Sequence, residues 1–223
     1  KPTLRQMAQQ IHNSQKSRIS AIVPADRTQP LPLSFAQQRI WFLEQLKPNT
    51  DTYNIPLGLK ISGEIDPRGI ESAFNQLIVE HESLRSRVMQ NASQLSIEIE
   101  YQSDWKLDVV DLNETDSMSG RSDPQAFIAT EANTPFNLKT GPLFRVKLLR
   151  ITPLESVLLI TLHHLISDGW SMNLLIREMA KYYRAYVTGN VQLPPPKSIQ
   201  YCDYALWQQE LMRDKYRNDL LAY

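Results

Sequence analysis

The spacing of apolar positions divides the chain into helices and strands. Leu4, Met7, Ala8 and Ile11 share a helical face and predict a short amphipathic helix. Ser34 is a good N-cap, and Ala36, Ile40, Leu43 and Leu46 then predict one apolar stripe, with Trp41 and Phe42 beside it. Asn54 to Ser62 alternates as a strand, with Leu57, Leu59 and Ile61 on one face, and Gly63 ends it. Asp66-Pro67 opens a second helix, an acidic cap followed by proline at the first helical position. Ile70, Ala73, Phe74, Leu77 and Ile78 follow at the spacing of a buried helix face.

Beyond it, His81 to Val88 reads as a polar helix end leading into a strand. Leu95 to Tyr101 and Trp105 to Val109 alternate as half-buried strands and predict a hairpin. Asn113 to Ser122 is a polar loop, and Asp123-Pro124 starts a helix whose apolar face is Phe127, Ile128 and Ala132. Turns follow at 134–137 and 141–142. Leu143 to Ile151 and Ser156 to His164 then read as an antiparallel strand pair, and Ser171 to Val187 as a helix. This order predicts an α/β sandwich with a mixed, largely antiparallel sheet and packed helices. It lacks strict βαβ alternation and any glycine-rich phosphate loop.

Composition narrows the classes. The 223 residues suffice for a sizeable core. Lys+Arg and Asp+Glu are 24 each, which gives no reason to expect a nucleic-acid or anionic-membrane partner. The single cysteine, Cys202, forms no intrachain disulfide and reads as a small buried side chain. With no signal-like apolar centre at the N-terminus and no apolar run of membrane-spanning length, a cytoplasmic location is expected. The chain starts at Lys1 rather than Met, as a piece of something longer would.

The candidate chemistry lies in His163-His164-Leu165-Ile166-Ser167-Asp168-Gly169, between the last strand and the last helix. Successive strand residues face opposite sides, so one histidine points into a layer and the other sits at the strand end, where a site can open. Gly169 permits a backbone conformation that a Cβ would hinder. Two roles are open to Asp168: fixing an imidazole, or bracing the turn by pairing with an arginine. Adjacent strand histidines do not readily share one ion and no zinc-type spacing accompanies them, so no metal is expected. A serine hydrolase is disfavoured by the missing Gly-x-Ser-x-Gly elbow.

His163 to Gly169 fits His-His-x-x-x-Asp-Gly and resembles the condensation domains of nonribosomal peptide synthetases, in the chloramphenicol-acetyltransferase-like superfamily. Ser34 to Leu43, His81 to Arg85 and Tyr201 to Trp207 resemble further motifs of that family, in its order, so the resemblance runs from about Ile22 to the end. It implies a two-layer sandwich forming one lobe of a two-lobed domain. The expected division is a linker over 1–29, an N-terminal lobe over 30–190 and a crossover over 191–223 toward a missing C-terminal lobe.

The reaction implied is amide formation between donor and acceptor thioesters carried on the phosphopantetheine arms of carrier proteins. No carrier serine motif is present, so 4'-phosphopantetheine belongs to the partners and none is bound by this chain. By resemblance His164 stands at the reacting centre, as general base or as a group that orients the amine; a histidine's reference pKa of about 6.5 suits the former. Gly169 leaves room for substrate and can offer its N–H. His163, Asp168, Arg85 and Arg39 support the motif, with Asp168 paired to an arginine.

Asp168-Gly169-Trp170-Ser171 looks like a peptide-bond-forming member, and Leu33 to Gln37 like a type taking an L-configured or polyketide-derived donor. The isolated lobe is expected to be inactive and open to self-association through its interlobe face. The alternatives are another acyltransferase of the superfamily and a non-catalytic lobe that docks carrier proteins.

Overall fold

A computed structural model describes residues 3–6, 20–91, 94–101, 105–112, 124–190 and 197–213. Residues 4–6 are helical; the rest of the expected N-terminal helix and the loop expected at 113–122 lie outside the described residues. The elements are α1 (Phe35–Leu46), β1 (Asn54–Ser62), α2 (Pro67–Glu80), a 3-10 turn (Glu82–Arg85), β2 (Ser86–Asn91), β3 (Gln94–Ile99), β4 (Asp108–Asp111), α3 (Pro124–Asn133), β5 (Phe144–Thr152), β6 (Glu155–His163), α4 (Gly169–Val187) and α5 (Tyr201–Arg213).

Four strands form one sheet in the order β1-β6-β5-β4. The β1–β6 and β5–β6 pairs are antiparallel and β4–β5 is parallel. The fold is therefore the expected mixed, largely antiparallel α/β sandwich.

The strand β6 is central and nearly all buried, because both its faces are covered. Leu158, Ile160 and Leu162 pack with Ile70, Ala73, Phe74, Leu77 and Ile78 of α2 and with Met172 and Leu175 of α4. Val157 and Leu159, on the opposite face, pack with Phe127 and Ile128 of α3. Asp66 caps α2 by accepting from the Arg68 N–H, with Pro67 at the first position, as expected. Gly69 lets α4 close on α2: a Cβ there would lie 2.7 Å from the Tyr183 ring.

One strand pairing differs from expectation. The hairpin joins β2 to β3, in register Ser86 to Ile99. The segment after it does not pair with β3; β4 lies parallel beside β5 instead. Alternation reports that a segment is half-buried, not which edge accepts its hydrogen bonds.

The buried face of α1 also differs. Of the expected stripe only Ile40 is buried; Ala36 and Leu43 are exposed and Leu46 is 67% exposed. The buried positions are Gln37, Ile40 and Glu44. Side chains and a carbonyl supplied by other elements receive these polar groups, and that compensation is invisible to periodicity. The helix α5 was not anticipated as a helix. Its Cys202, Asp203 and Ala205 are buried.

Candidate functional site

The strand β6 ends at His163, and residues 164–166 turn the chain toward α4. The His163 N–H donates to the Leu143 carbonyl, the His164 N–H to the Tyr53 carbonyl and the Ile166 N–H to the His163 carbonyl. A bonded backbone on either side of His164 fixes where its side chain leaves the sheet. His163 is 2% exposed, whereas His164 is exposed. The expected division of labour between the two histidines is thus present in the structure.

Their hydrogen bonds assign opposite tautomers. The His164 Nδ1 lies 2.7 Å from the Ser167 carbonyl. A carbonyl only accepts, so Nδ1 carries the proton and a neutral ring presents an unprotonated Nε2. The His163 Nδ1 accepts the Leu165 N–H at 3.1 Å, which places that ring's proton on Nε2. The ring lies between Phe136, edge-on at 5.9 Å, and Tyr53, tilted at 6.1 Å. Burial, with a smaller contribution from His164, lowers the His163 pKa to about 4.

Asp168 is the N-cap of α4. Its Oδ1 accepts the Ser171 N–H at 2.8 Å and the Ser171 hydroxyl at 2.7 Å, and these bonds hold its carboxyl below the usual carboxylate range. Among the described residues no arginine pairs with it. Arg39 is exposed on α1, with no polar partner among the described residues. Arg85 donates to the Ile78 and Glu100 carbonyls, tying the end of α2 to the end of β3 rather than to the histidine turn. Gly169 adopts no positive φ, and a Cβ there would meet nothing within 4 Å. The backbone therefore does not require glycine at 169; what its absent side chain leaves is open space beside the turn. Trp170 follows it, 79% exposed.

The residues around the first motif hold the turn from below. Ser34 and Gln37 form a reciprocal capping box at the start of α1. The Gln37 Nε2 also donates to the Leu165 carbonyl at 3.1 Å. Ser34 Oγ lies 3.0 Å from the Tyr201 hydroxyl, and Gln209 of α5 donates to the Leu33 carbonyl. Sequence reasoning missed Gln37 and Glu44 because both fall outside the apolar stripe.

A second clamp joins the N-terminal segment to α5. Arg27 pairs with Glu82 at 2.8 Å and with Asp203, whose Oδ1 also accepts the Ala25 N–H. Residues 25–27 are therefore bound to the body of the fold. Cys202 lies against this clamp, its Sγ 3.1 Å from Glu82 Oε2, and burial beside that carboxylate pushes its thiol up to about 12. Cys202 is expected to stay unmodified by iodoacetamide at pH 8 in the native state and to react once the chain is unfolded, as intact mass spectrometry would read; rapid native labelling would contradict the buried placement.

Glu80, His81 and Glu178 bring three ligand-type atoms within 4.8 Å of one another. His81 Nε2 lies 2.6 Å from Glu178 Oε2, and the Tyr182 hydroxyl donates to Glu80. The Lys197 ammonium sits 2.9 Å from Glu178 and 3.9 Å from Glu80. It supplies the cation, so the cluster reads as an ion-pair clamp between α2, α4 and the segment leading to α5. Beside it opens a cavity of about 380 Å³, lined by Leu162, Ile166, Ser167, Ser171 and Leu175 toward the histidine turn and by His81 and Lys197 at the clamp. Among the described residues no helix is long and apolar enough to cross a membrane.

The described residues thus form an α/β sandwich with an exposed imidazole held at the end of its central strand, beside the start of a long helix. The family described as "Condensation domain" matches residues 27–223, and the chain belongs to that family. One of the linear gramicidin synthase proteins of Brevibacillus parabrevis is 41% identical over 202 residues, 91% of this chain and 3% of that protein. Malpinin synthetase of Mortierella alpina is 38% identical over 200 residues, 88% of this chain and 2% of that protein.

Among solved structures, the X-domain from teicoplanin biosynthesis superposes with a TM-score of 0.79 at 26% identity, covering 90% of this chain and 43% of that one. The starter condensation domain of rhizomide synthetase gives 0.75 at 27%, covering 86% of this chain and 46% of that one. The chain thus spans a few per cent of these synthetases and less than half of the solved domains.

Proposed function

We propose that this chain is the N-terminal lobe of an amide-forming condensation domain, dividing into a leading segment over 1–29, the lobe over 30–190 and a crossover over 191–223. The observation that carries the proposal is the tautomer of His164. With Nδ1–H bonded to the Ser167 carbonyl, the ring of the exposed His164 keeps a lone pair on Nε2, and Gly169 in the same turn leaves open space.

The acceptor's amine attacks the donor's thioester carbonyl. The new C–N bond forms as the C–S bond breaks, the thiol of the donor carrier's phosphopantetheine leaves, and the proton lost by the amine, taken by a base, balances the one the departing sulfur gains. His164 acts either as that base or by orienting the amine through a hydrogen bond. Gly169 leaves room for the reacting groups and offers its N–H at the start of α4, where the helix dipole favours developing negative charge. Both carriers, their phosphopantetheine arms and the opposing lobe come from outside these residues. A cytoplasmic setting fits the buried, unreactive thiol.

A docking role without catalysis is the second reading. It draws on the structural likeness to the teicoplanin X-domain, one of whose solved structures is a complex with OxyB.

The test is a carrier-to-carrier assay on the intact domain containing this chain, with donor and acceptor carriers loaded and the dipeptidyl thioester followed by mass spectrometry. The intact domain is expected to form product and the isolated chain to form none. Product from the isolated chain at the intact domain's rate overturns the half-site reading. An intact domain that binds carriers but forms no product with any donor–acceptor pair supports the docking reading instead.

A further inference from the structure

We propose that Glu44 is a positioning residue for the reaction at His164: its carboxyl group on α1 faces the Nε2–H of His163 and so fixes the turn that presents His164. The inference rests on the reading of His164 as the group at the reacting centre.

The placement of Glu44 carries the argument. Its residue is 6% exposed, and its Oε1 is buried without a conventional hydrogen bond. The His163 Nε2 lies 3.5 Å from that oxygen. A carboxyl group taken out of water needs such a partner, and the tautomer of His163 supplies one. Because Nδ1 accepts from the Leu165 amide, the ring's proton lies on Nε2, toward Glu44.

The buried face of α1 then meets the turn twice. Gln37 holds the Leu165 carbonyl, and Glu44 faces the ring whose other nitrogen holds the Leu165 amide. Leu165 is thereby gripped from both sides of its own backbone, and the residue before it is His164. A shift of the His163 ring would be passed directly into the direction in which His164 leaves the strand. Two polar side chains on one helix face, both spent on a single turn, have no counterpart in a face built only for packing.

The experiment compares Glu44→Gln with Glu44→Leu in the intact domain. Glu44→Gln keeps a carbonyl oxygen at the same reach; Glu44→Leu keeps the volume and removes the acceptor. Three readouts are taken: kcat and KM for loaded carriers, the melting temperature, and the ring ¹⁵N resonances of both histidines. Glu44→Leu is expected to lower kcat about 10- to 100-fold with KM little changed and no fall in melting temperature, and to displace the His164 ring signals. Glu44→Gln is expected to stay within about 3-fold of wild type, with His163 still protonated on Nε2.

Wild-type kcat in Glu44→Leu overturns the proposal. So does a loss in both variants that follows their melting temperatures. Should Glu44→Leu not fold, Glu44→Gln decides by itself: the proposal fails if its His163 tautomer changes while kcat does not. The ring signals need no turnover, so a failure of the amide-forming reading is seen separately, as a wild-type domain without product.

Discussion

His164→Ala in the intact domain is expected to lower the rate of amide formation by about 10²- to 10⁴-fold, the range typical of a positioned acid–base group. The fold should survive, because His164 is exposed and, among the described residues, its side chain makes one hydrogen bond, to the Ser167 carbonyl. Its backbone N–H bond to Tyr53 does not depend on the side chain.

A companion variant separates the two roles. Glutamine at 164 can accept a hydrogen bond from the amine but cannot take its proton. A His164→Gln domain as slow as His164→Ala identifies proton transfer. Recovery of most of the rate identifies positioning. Undiminished product from His164→Ala would remove His164 from the reacting centre.

The second large effect is on stability. His163 is buried and neutral, with its pKa lowered to about 4 against an ordinary 6.5. Between those values the unfolded chain holds a proton that the native state does not, so stability rises with pH across that window. Its contribution is fully present above pH 6.5 and is lost as pH falls toward 4. The shift corresponds to about 3 kcal/mol.

The neighbours of His163 modify this slope. Glu44, on α1, has its carboxyl raised by burial, which acts in the opposite direction: that contribution is lost as pH rises through its folded pKa. His164, the next residue, lowers the His163 pKa further by charge repulsion. Tyr53 and Phe136 add apolar cover, with the Arg145 guanidinium 3.8 Å from the centroid of the Phe136 ring. Urea denaturation of wild type and His163→Asn between pH 4 and 7 would measure the difference. The variant, whatever its absolute stability, is expected to show a shallower rise with pH. Equal slopes would mean that the native ring titrates freely and is not held neutral.

Much of the fold is legible in the chain because several segments are locally complete. Asp66-Pro67 and the five apolar residues of α2 specify its start and its buried face without reference to anything else. The run from Glu155 to His163 is apolar on both faces because the strand is central, and its turn with β5 is short. The candidate site could be singled out for the same reason: the two histidines, Asp168 and Gly169 lie within seven consecutive residues. Strand parity separates the two histidines onto opposite faces; that His163 is the buried one and His164 the exposed one is decided by what covers them.

What eluded the sequence depends on distant partners. The β4 strand could have joined β3, but its hydrogen bonds go to β5, some forty residues later in the chain. The short helix α5 has mixed polarity, and its burial is decided by Arg27, by Glu82 and by the N-terminal end of α1.

By itself, then, the sequence determined the caps at Ser34 and Asp66, the buried face of α2, the strand β6 and the histidine motif, all of which are set by interactions within a few residues. The tertiary structure alone decided which nitrogen of each histidine carries the proton. The Ser167 carbonyl and the Leu165 amide lie within three residues of the rings, but the turn that aims them is held by Leu143, Tyr53 and Gln37, and the carboxyl group facing the His163 Nε2 comes from α1. A proton's position follows from the groups within hydrogen-bond reach, and only the folded chain brings Glu44 to within 3.5 Å of a residue more than a hundred positions away.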